Sequence, residues 1–266
     1  IAFAAAISAC EKGAEWRQAL GLLAEMPPSR AQPNSVAFNA AISACEKGGR
    51  WEHALSLLRG ASSGRFEPDG VSYSAAISAC GQGEKWQVAL ALLREAQQRR
   101  VESSVYMYSA ATSVLEKVRQ WELALVLLRE ARTTGLEASV VMYSAVISAC
   151  GRCQRWEHSL ATMEDMLLLR LRPNVVVCTA VVSACEKDKN WELALRVLAE
   201  MGHSRLQPNL LTYNAAISAC EKGQQRRFAL ALLSEVCSRT MIVSMLEETA
   251  ARHRDLQRSH QLVRKE

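Results

Sequence analysis

Residues 35–69, SVAFNAAISACEKGGRWEHALSLLRGASSGRFEPD, recur along the chain at a spacing of 35 residues. Trp16, Trp51, Trp86, Trp121, Trp156 and Trp191 mark one slot and account for all six tryptophans. Cys10, Cys45, Cys80, Cys150, Cys185 and Cys220 mark a second, with Leu115 in the remaining copy. Phe3, Phe38, Tyr73, Tyr108, Tyr143 and Tyr213 mark a third. No insertion disturbs the register between residue 1 and about residue 236. A fixed period of this length is the signature of a solenoid, in which each copy is one supersecondary unit too small to bury its apolar face alone.

Within the second copy, Phe38, Ala41, Ile42 and Cys45 fall at i, i+3, i+4 and i+7, the stripe of a helix. Trp51, Ala54, Leu55 and Leu58 form the stripe of another. Gly48 and Gly49 separate the two, as do Gly13, Gly83 and Gly223 elsewhere, and they read as helix-ending glycines in the left-handed conformation. Pro33, Pro68, Pro173 and Pro208 share a slot that pre-sets the turn into the next copy. Ser103 and Ala138 replace that proline, so looser junctions are expected there. The fold expected is all-α, an α-solenoid superhelix of about seven helix-turn-helix repeats. A partial first repeat covers 1–34, five full 35-residue repeats cover 35–209, and a divergent last repeat covers 210–238. A C-terminal charged helix or cap is expected at 239–266. Phe38, Ile42, Cys45, Trp51, Leu55 and their equivalents are expected to be buried.

Composition narrows the function classes. The chain is 49% hydrophobic, yet no apolar run approaches the ~18–20 residues that span a bilayer, so no membrane role is expected. The net charge of +5 is only mildly basic, and bulk charge alone does not argue for nucleic acid. Six of the nine cysteines occupy one repeat slot, one period apart, whereas a disulfide needs Cα atoms within ~7 Å. Small buried thiols are the reading for that slot. Cys150 and Cys153 spell CxxC, but no second pair completes a zinc site. His53 and His158 share a slot with Gln18, Val88 and Leu123, which fits a helix surface. Glu52, Glu122, Glu157 and Glu192 fall in the first turn of the second helix, where a carboxylate complements the dipole. No nucleophile elbow, phosphate loop or isolated acid pair is present, so the expectation is no catalytic site, no metal and no cofactor. Ile1 aligns with Val36, inside a repeat, so sequence upstream is expected; no targeting segment is visible.

The unit VSYSAAISACGQGEKWQVALALLREA (71–96), closed in most copies by Pro-Asn or Pro-Asp, resembles the pentatricopeptide repeat. The tetratricopeptide repeat differs in its period of about 34 and its tryptophan early in the first helix. The resemblance covers roughly residues 1–240. It implies a superhelix with first helices on the inner surface that binds single-stranded RNA, one base per unit, in a mitochondrion or chloroplast. Helical-repeat readers of this kind use two or three side chains per base.

Carried over residue by residue, the resemblance makes base readers of Asn39 with Asp69, Ser74 with Ser104, Ser109 with Ser139, Ser144 with Asn174, and Thr179 with Asn209. Ala4 with Asn34 precedes them, and Asn214 opens a seventh pair with Ser244. It makes Val36, Val71, Tyr106, Val141, Val176 and Leu211 base-sandwiching residues. Lys12, Lys47, Lys117, Arg152, Lys187 and Lys222, with Gln82 in the remaining copy, take the slot that approaches phosphates. The implied base order is any, U, any, any, A, A and then C, read 5′ to 3′. Each slot also has a plainer reading: polar filler on a helix face, or cations complementing the helix C-terminus with Glu11, Glu46, Glu116, Glu186 and Glu221 beside them. A monomer is expected, with single-stranded RNA and other RNA-processing proteins as partners. Two other readings stay open, a peptide-binding scaffold of the tetratricopeptide type and the RNA-binding portion of a larger RNA-processing enzyme.

Overall fold

Asparagine, aspartate or serine at the end of each repeat starts the next helix. Asn34, Asp69, Ser139, Asn174 and Asn209 all hold extended backbone, and each accepts a hydrogen bond from the N–H three residues on. Such caps satisfy one of the orphan donors at a helix N-terminus. In the computed structural model, which describes residues 2–26, 34–63, 67–101 and 105–237, this pattern builds helical hairpins. The chain divides after Pro173 into two compact units.

The first unit holds α1 (Ala2–Lys12), α2 (Trp16–Glu25), α3 (Ser35–Lys47), α4 (Trp51–Ser63), α5 (Gly70–Gln82), α6 (Trp86–Gln98), α7 (Val105–Lys117), α8 (Trp121–Thr133), α9 (Val140–Arg152) and α10 (Trp156–Leu168). The second holds α11 (Val175–Lys187), α12 (Trp191–His203), α13 (Leu210–Lys222) and α14 over 226–237. Within each unit a first helix packs on its own second helix and on the next first helix, and the second helix also touches the next first helix. The first helices therefore form one layer and the second helices the other. Ser104 and residues 239–266 lie outside the described residues, and with them the expected C-terminal cap.

The core follows the expected stripe except at two slots: Phe38 is half-buried, and of the Leu55 slot Leu20, Leu90, Leu125, Leu160 and Leu195 are half-buried and Leu230 is exposed. Ile42, Cys45, Ala54, Leu55, Tyr73, Ile77, Cys80, Tyr108, Leu115, Tyr143 and Cys150 are buried. Burial pushes the Cys45 and Cys80 thiols up to about 11 and those of Cys150 and Cys185 to about 12. They are protonated, inert packing groups at neutral pH, since reactivity belongs to the thiolate. No two of the nine cysteines are bridged. Inside a repeat the two helices are also tied by a tyrosine and an acid 22 residues on: Tyr73 donates to Glu95, Tyr108 to Glu130 and Tyr213 to Glu235, at 3.2, 3.0 and 2.8 Å.

Three further expectations are corrected. The tryptophans are half-buried rather than enclosed: each begins a second helix, and Trp16, Trp51, Trp121 and Trp191 lean on the following repeat. Trp16 lies 5.1 Å from the His53 ring, Trp121 lies 4.8 Å from His158, and Trp191 stacks on Phe228 at 5.4 Å. Arg50, Lys85 and Arg155 sit over Trp16, Trp51 and Trp121 at 5.1, 5.7 and 5.2 Å, within cation–π range. The glycine slot then has a different reason. Gly48, Gly83 and Gly223 have negative φ, and the left-handed residue is the next one, Gly49, Glu84 and Gln224. Glycine is needed at Gly83 because a Cβ there would meet Trp51 Cδ1 at 2.4 Å. Lastly, the junction at Ala138 is no looser than its neighbours. Ala138 is buried, and Leu136 N–H closes on Ala131 O at 3.1 Å just as Leu171 closes on Met166.

These two adjacent positions should respond in opposite directions. Gly83→Ala is expected to destabilise by about 1–2 kcal/mol through overpacking on Trp51. Glu84→Gly, at φ +55°, should stabilise by roughly 0.5–1 kcal/mol by removing the Cβ penalty. Urea unfolding of the two variants checks this; the same sign for both would refute the assignment.

Candidate nucleic-acid interface

The first helices of both units carry an anomaly. Val36, Val71, Tyr106, Val141, Val176 and Leu211 occupy one slot, and all six are exposed, from 56% at Val36 to 80% at Tyr106. An apolar side chain left in solvent at six described copies of a regular array is a feature to be explained, not background. In the first unit Val71, Tyr106 and Val141 border a groove of about 920 Å³, shared with Asp69, Ser74, Ser109, Glu46, Ser43, Ser78 and Ser113. Apolar walls thus alternate with short polar side chains along the helices.

Within each unit some of the paired polar residues are linked across successive repeats. Asn39 Nδ2 donates to both Asp69 carboxylate oxygens at 3.2 and 3.1 Å. Ser72 Oγ lies 2.5 Å from Asn39 Oδ1 and 3.0 Å from Asp69 Oδ1, locking the two together. Burial pushes the Asp69 carboxyl up, but the hydrogen bonds from Ser72 and Asn39 outweigh it and hold it below the usual range. Asp69 is therefore an ionised acceptor facing the groove.

In the second unit Thr179 and Asn209 are linked through Thr212 rather than directly. Thr179 Oγ1 contacts Thr212 Oγ1 at 2.7 Å, and Thr212 donates through both Oγ1 and N to Asn209 Oδ1, at 2.8 and 2.9 Å. With its oxygen so engaged, Asn209 is left to present its Nδ2 donors. Ser109 and Ser139 share one hydrogen bond at 3.1 Å, which engages the two hydroxyls with each other. The Ser74 hydroxyl is buried with no hydrogen-bond partner among the described residues. Ser144 is half-buried, Asn174 caps α11, Ala4 is half-buried, and Asn214 is exposed on α13. Ser104 and Ser244 lie outside the described residues.

Sequence reasoning missed Ser72 and Thr212. Their slot holds Ala37, Met107, Met142 and Val177 in other copies, so nothing in the register marks it as polar. It also missed that the second reader of every described pair is a helix cap. Asn34, Asp69, Ser139, Asn174 and Asn209 each cap the helix of the following repeat.

The basic slot is more neutral than its lysines suggest. Lys47 pairs with Glu11 at 3.0 Å, Arg152 with Glu116 at 3.3 Å, and Lys222 with Glu186 at 2.8 Å. Each carboxylate comes from the preceding repeat. Burial raises the Glu116 carboxyl, whereas at Glu186 the hydrogen bonds from Lys222 and Ser218 outweigh burial and lower it. Lys12, Lys117 and Lys187 are exposed without an ion pair among the described residues. Cys153 stands in the glycine slot and lies 3.2 Å from the Arg119 carbonyl, separate from this face.

A family model described as the pentatricopeptide repeat domain matches residues 91–153 and 162–222. The model of the single repeat matches 36–60, 71–101 and 141–171. No curated protein matches the chain. Among solved structures it is similar to the maize pentatricopeptide repeat protein PPR10 in complex with an 18-nucleotide psaJ RNA element, with a TM-score of 0.65 and 24% identity. That match covers 90% of this chain and 38% of PPR10. It is also similar to the repeat domain of Arabidopsis thaliana protein-only RNase P 1 in complex with tRNA, with a TM-score of 0.62 and 12% identity. There the match covers 70% of this chain and 98% of that one. At these identities the solved structures show a shared fold. With the matched repeats running over more than half of its length, the chain belongs to the pentatricopeptide repeat family.

Proposed function

We propose that this chain binds single-stranded RNA along its first-helix layer, one base per repeat, and contributes sequence selectivity to RNA processing, stability, editing or translation in an organelle. The observation that carries the reading is the run of exposed Val36, Val71, Tyr106, Val141, Val176 and Leu211 beside interlocked polar pairs. Bases enter between apolar faces, where stacking on an aromatic contributes about 1–3 kcal/mol. Their Watson–Crick edges then meet the pairs. Asp69 accepts, so the second repeat selects a base with an N–H donor on that edge, as in uracil. Asn209 donates, so the sixth selects an acceptor, as in the N1 of adenine. The chain's role is binding rather than catalysis, and a catalytic domain elsewhere in a longer chain would act on RNA held here.

Fluorescence anisotropy with single-stranded RNA from a random pool tests the reading. Affinity should fall with salt by about −0.7 in log–log slope per phosphate contact. Lys117→Ala should weaken every sequence alike and reduce that slope by about one contact. Salt-indifferent binding, or capture of peptides with no RNA binding, would refute it.

A further inference from the structure

The charge slots of neighbouring repeats are offset, and the offset is interrupted. A carboxylate of one repeat meets the cation of the next at Glu11–Lys47 and Glu116–Arg152 in the first unit and at Glu186–Lys222 in the second. Gln82 stands where a cation would meet Glu46, and Gly81 stands where a carboxylate would meet Lys117. Glu46 is held by Ser78 and lines the same groove as Ser74 and Tyr106. Lys117 acts on Glu46 from a distance but forms no ion pair among the described residues. Along the first unit the steps therefore run neutral pair, bare carboxyl, bare ammonium, neutral pair.

We propose that this interrupted ladder, and not the basic slot as such, decides where the nucleic-acid backbone is gripped. Between Lys47 and Arg152, Lys117 is the chief phosphate anchor, those two cations are held back by their carboxylates, and the Glu46–Gln82 step keeps the backbone away. The inference rests on the RNA-binding reading. A phosphate approaching Lys117 meets a full positive charge, whereas one approaching Lys47 or Arg152 meets a dyad of zero net charge whose carboxylate competes for the same donors. At Glu46 it meets a like charge, and such juxtapositions oppose binding. Exposed pairs are individually weak, so the carboxylates lower the grip at Lys47 and Arg152 without abolishing it.

The test is linkage-by-linkage charge removal. An RNA selected by the intact chain is resynthesised with one uncharged methylphosphonate moved along it, and each version is titrated by anisotropy. Neutralising the linkage at Lys117 should weaken binding about fivefold or more, the worth of a charged contact. The linkages at Lys47 and Arg152 should lose less than about twofold, and the one at Glu46–Gln82 should lose nothing or gain. Glu46→Gln, which keeps the shape and an amide for Ser78, should tighten the unmodified RNA and abolish any gain at that linkage. Glu116→Gln should raise the penalty at Arg152 toward that at Lys117. Thermal melts without RNA confirm that both variants fold. Equal penalties at all linkages, or variants that leave the profile unchanged, would overturn the ladder alone. Absence of RNA binding by the parent chain would overturn the function reading and the ladder with it.

Discussion

Replacing Trp121 with alanine is expected to lower the stability of the chain by about 3 kcal/mol, the low end for a large aromatic-to-alanine change. The low end applies because the ring is half-exposed. What it loses is an interface between repeats: the His158 ring at 4.8 Å and the Arg155 guanidinium at 5.2 Å, both in the following repeat. Solenoid stability is a sum of intrinsic repeat terms and nearest-neighbour interface terms, so weakening one mid-array interface also loosens cooperativity. Urea unfolding followed by far-UV circular dichroism should show an earlier or a broadened transition. Trp121→Phe should recover part of the loss, since a ring still reaches His158. A change within about 0.5 kcal/mol would show that the ring contributes as a surface residue and that the repeats are coupled by their first helices alone.

The largest expected change in specificity is at the sixth repeat. Thr179→Asn combined with Asn209→Asp should switch its preferred base from adenine to uracil, by about tenfold or more in each direction, or ~1.4 kcal/mol. The structure shows why this repeat is the one to change. In the second repeat Asn39 and Asp69 are locked by the Ser72 hydroxyl, and Thr212 supplies a hydroxyl at the same slot for Thr179 and Asn209. The double substitution reproduces that trio with its third member already in place. The fourth pair, Ser109 with Ser139, has Met142 at the corresponding position and lacks the link. Each single substitution should weaken binding to both bases, because the donor and acceptor on the protein then no longer match either edge. Competition titrations with RNAs differing only at that base decide the matter. If the double variant keeps its adenine preference, the pairing of residues 179 and 209 is wrong although the solenoid stands.

Much of this was legible without coordinates. A period of 35 forces residues one period apart into like surroundings, so the two helices, the buried stripe of Ile42 and Cys45 and the polar slot at Asn39 followed from register alone. The exposed apolar slot came with the family resemblance, and the structure supplies the reason to take it as functional. Acid residues at Glu95, Glu130 and Glu235 repeat in register with the tyrosines that bond them, a pattern visible in the sequence; Asp165 shares the slot, but the Tyr143 hydroxyl has no hydrogen-bond partner among the described residues.

What the register could not yield is which slot of one repeat touches which slot of the next. Trp51 meets Gly83 at a separation of 32 residues, Thr179 meets Thr212 at 33, and Lys47 meets Glu11 at 36. None of these is the repeat length, because neighbouring repeats are displaced and rotated when they stack. Aligning the copies places equivalent residues beneath one another, whereas these contacts join different slots. Period and composition determined the kind of molecule; the packing offset between repeats decided which lysine is paired, which glycine is obligatory and which hydroxyl links Thr179 to Asn209.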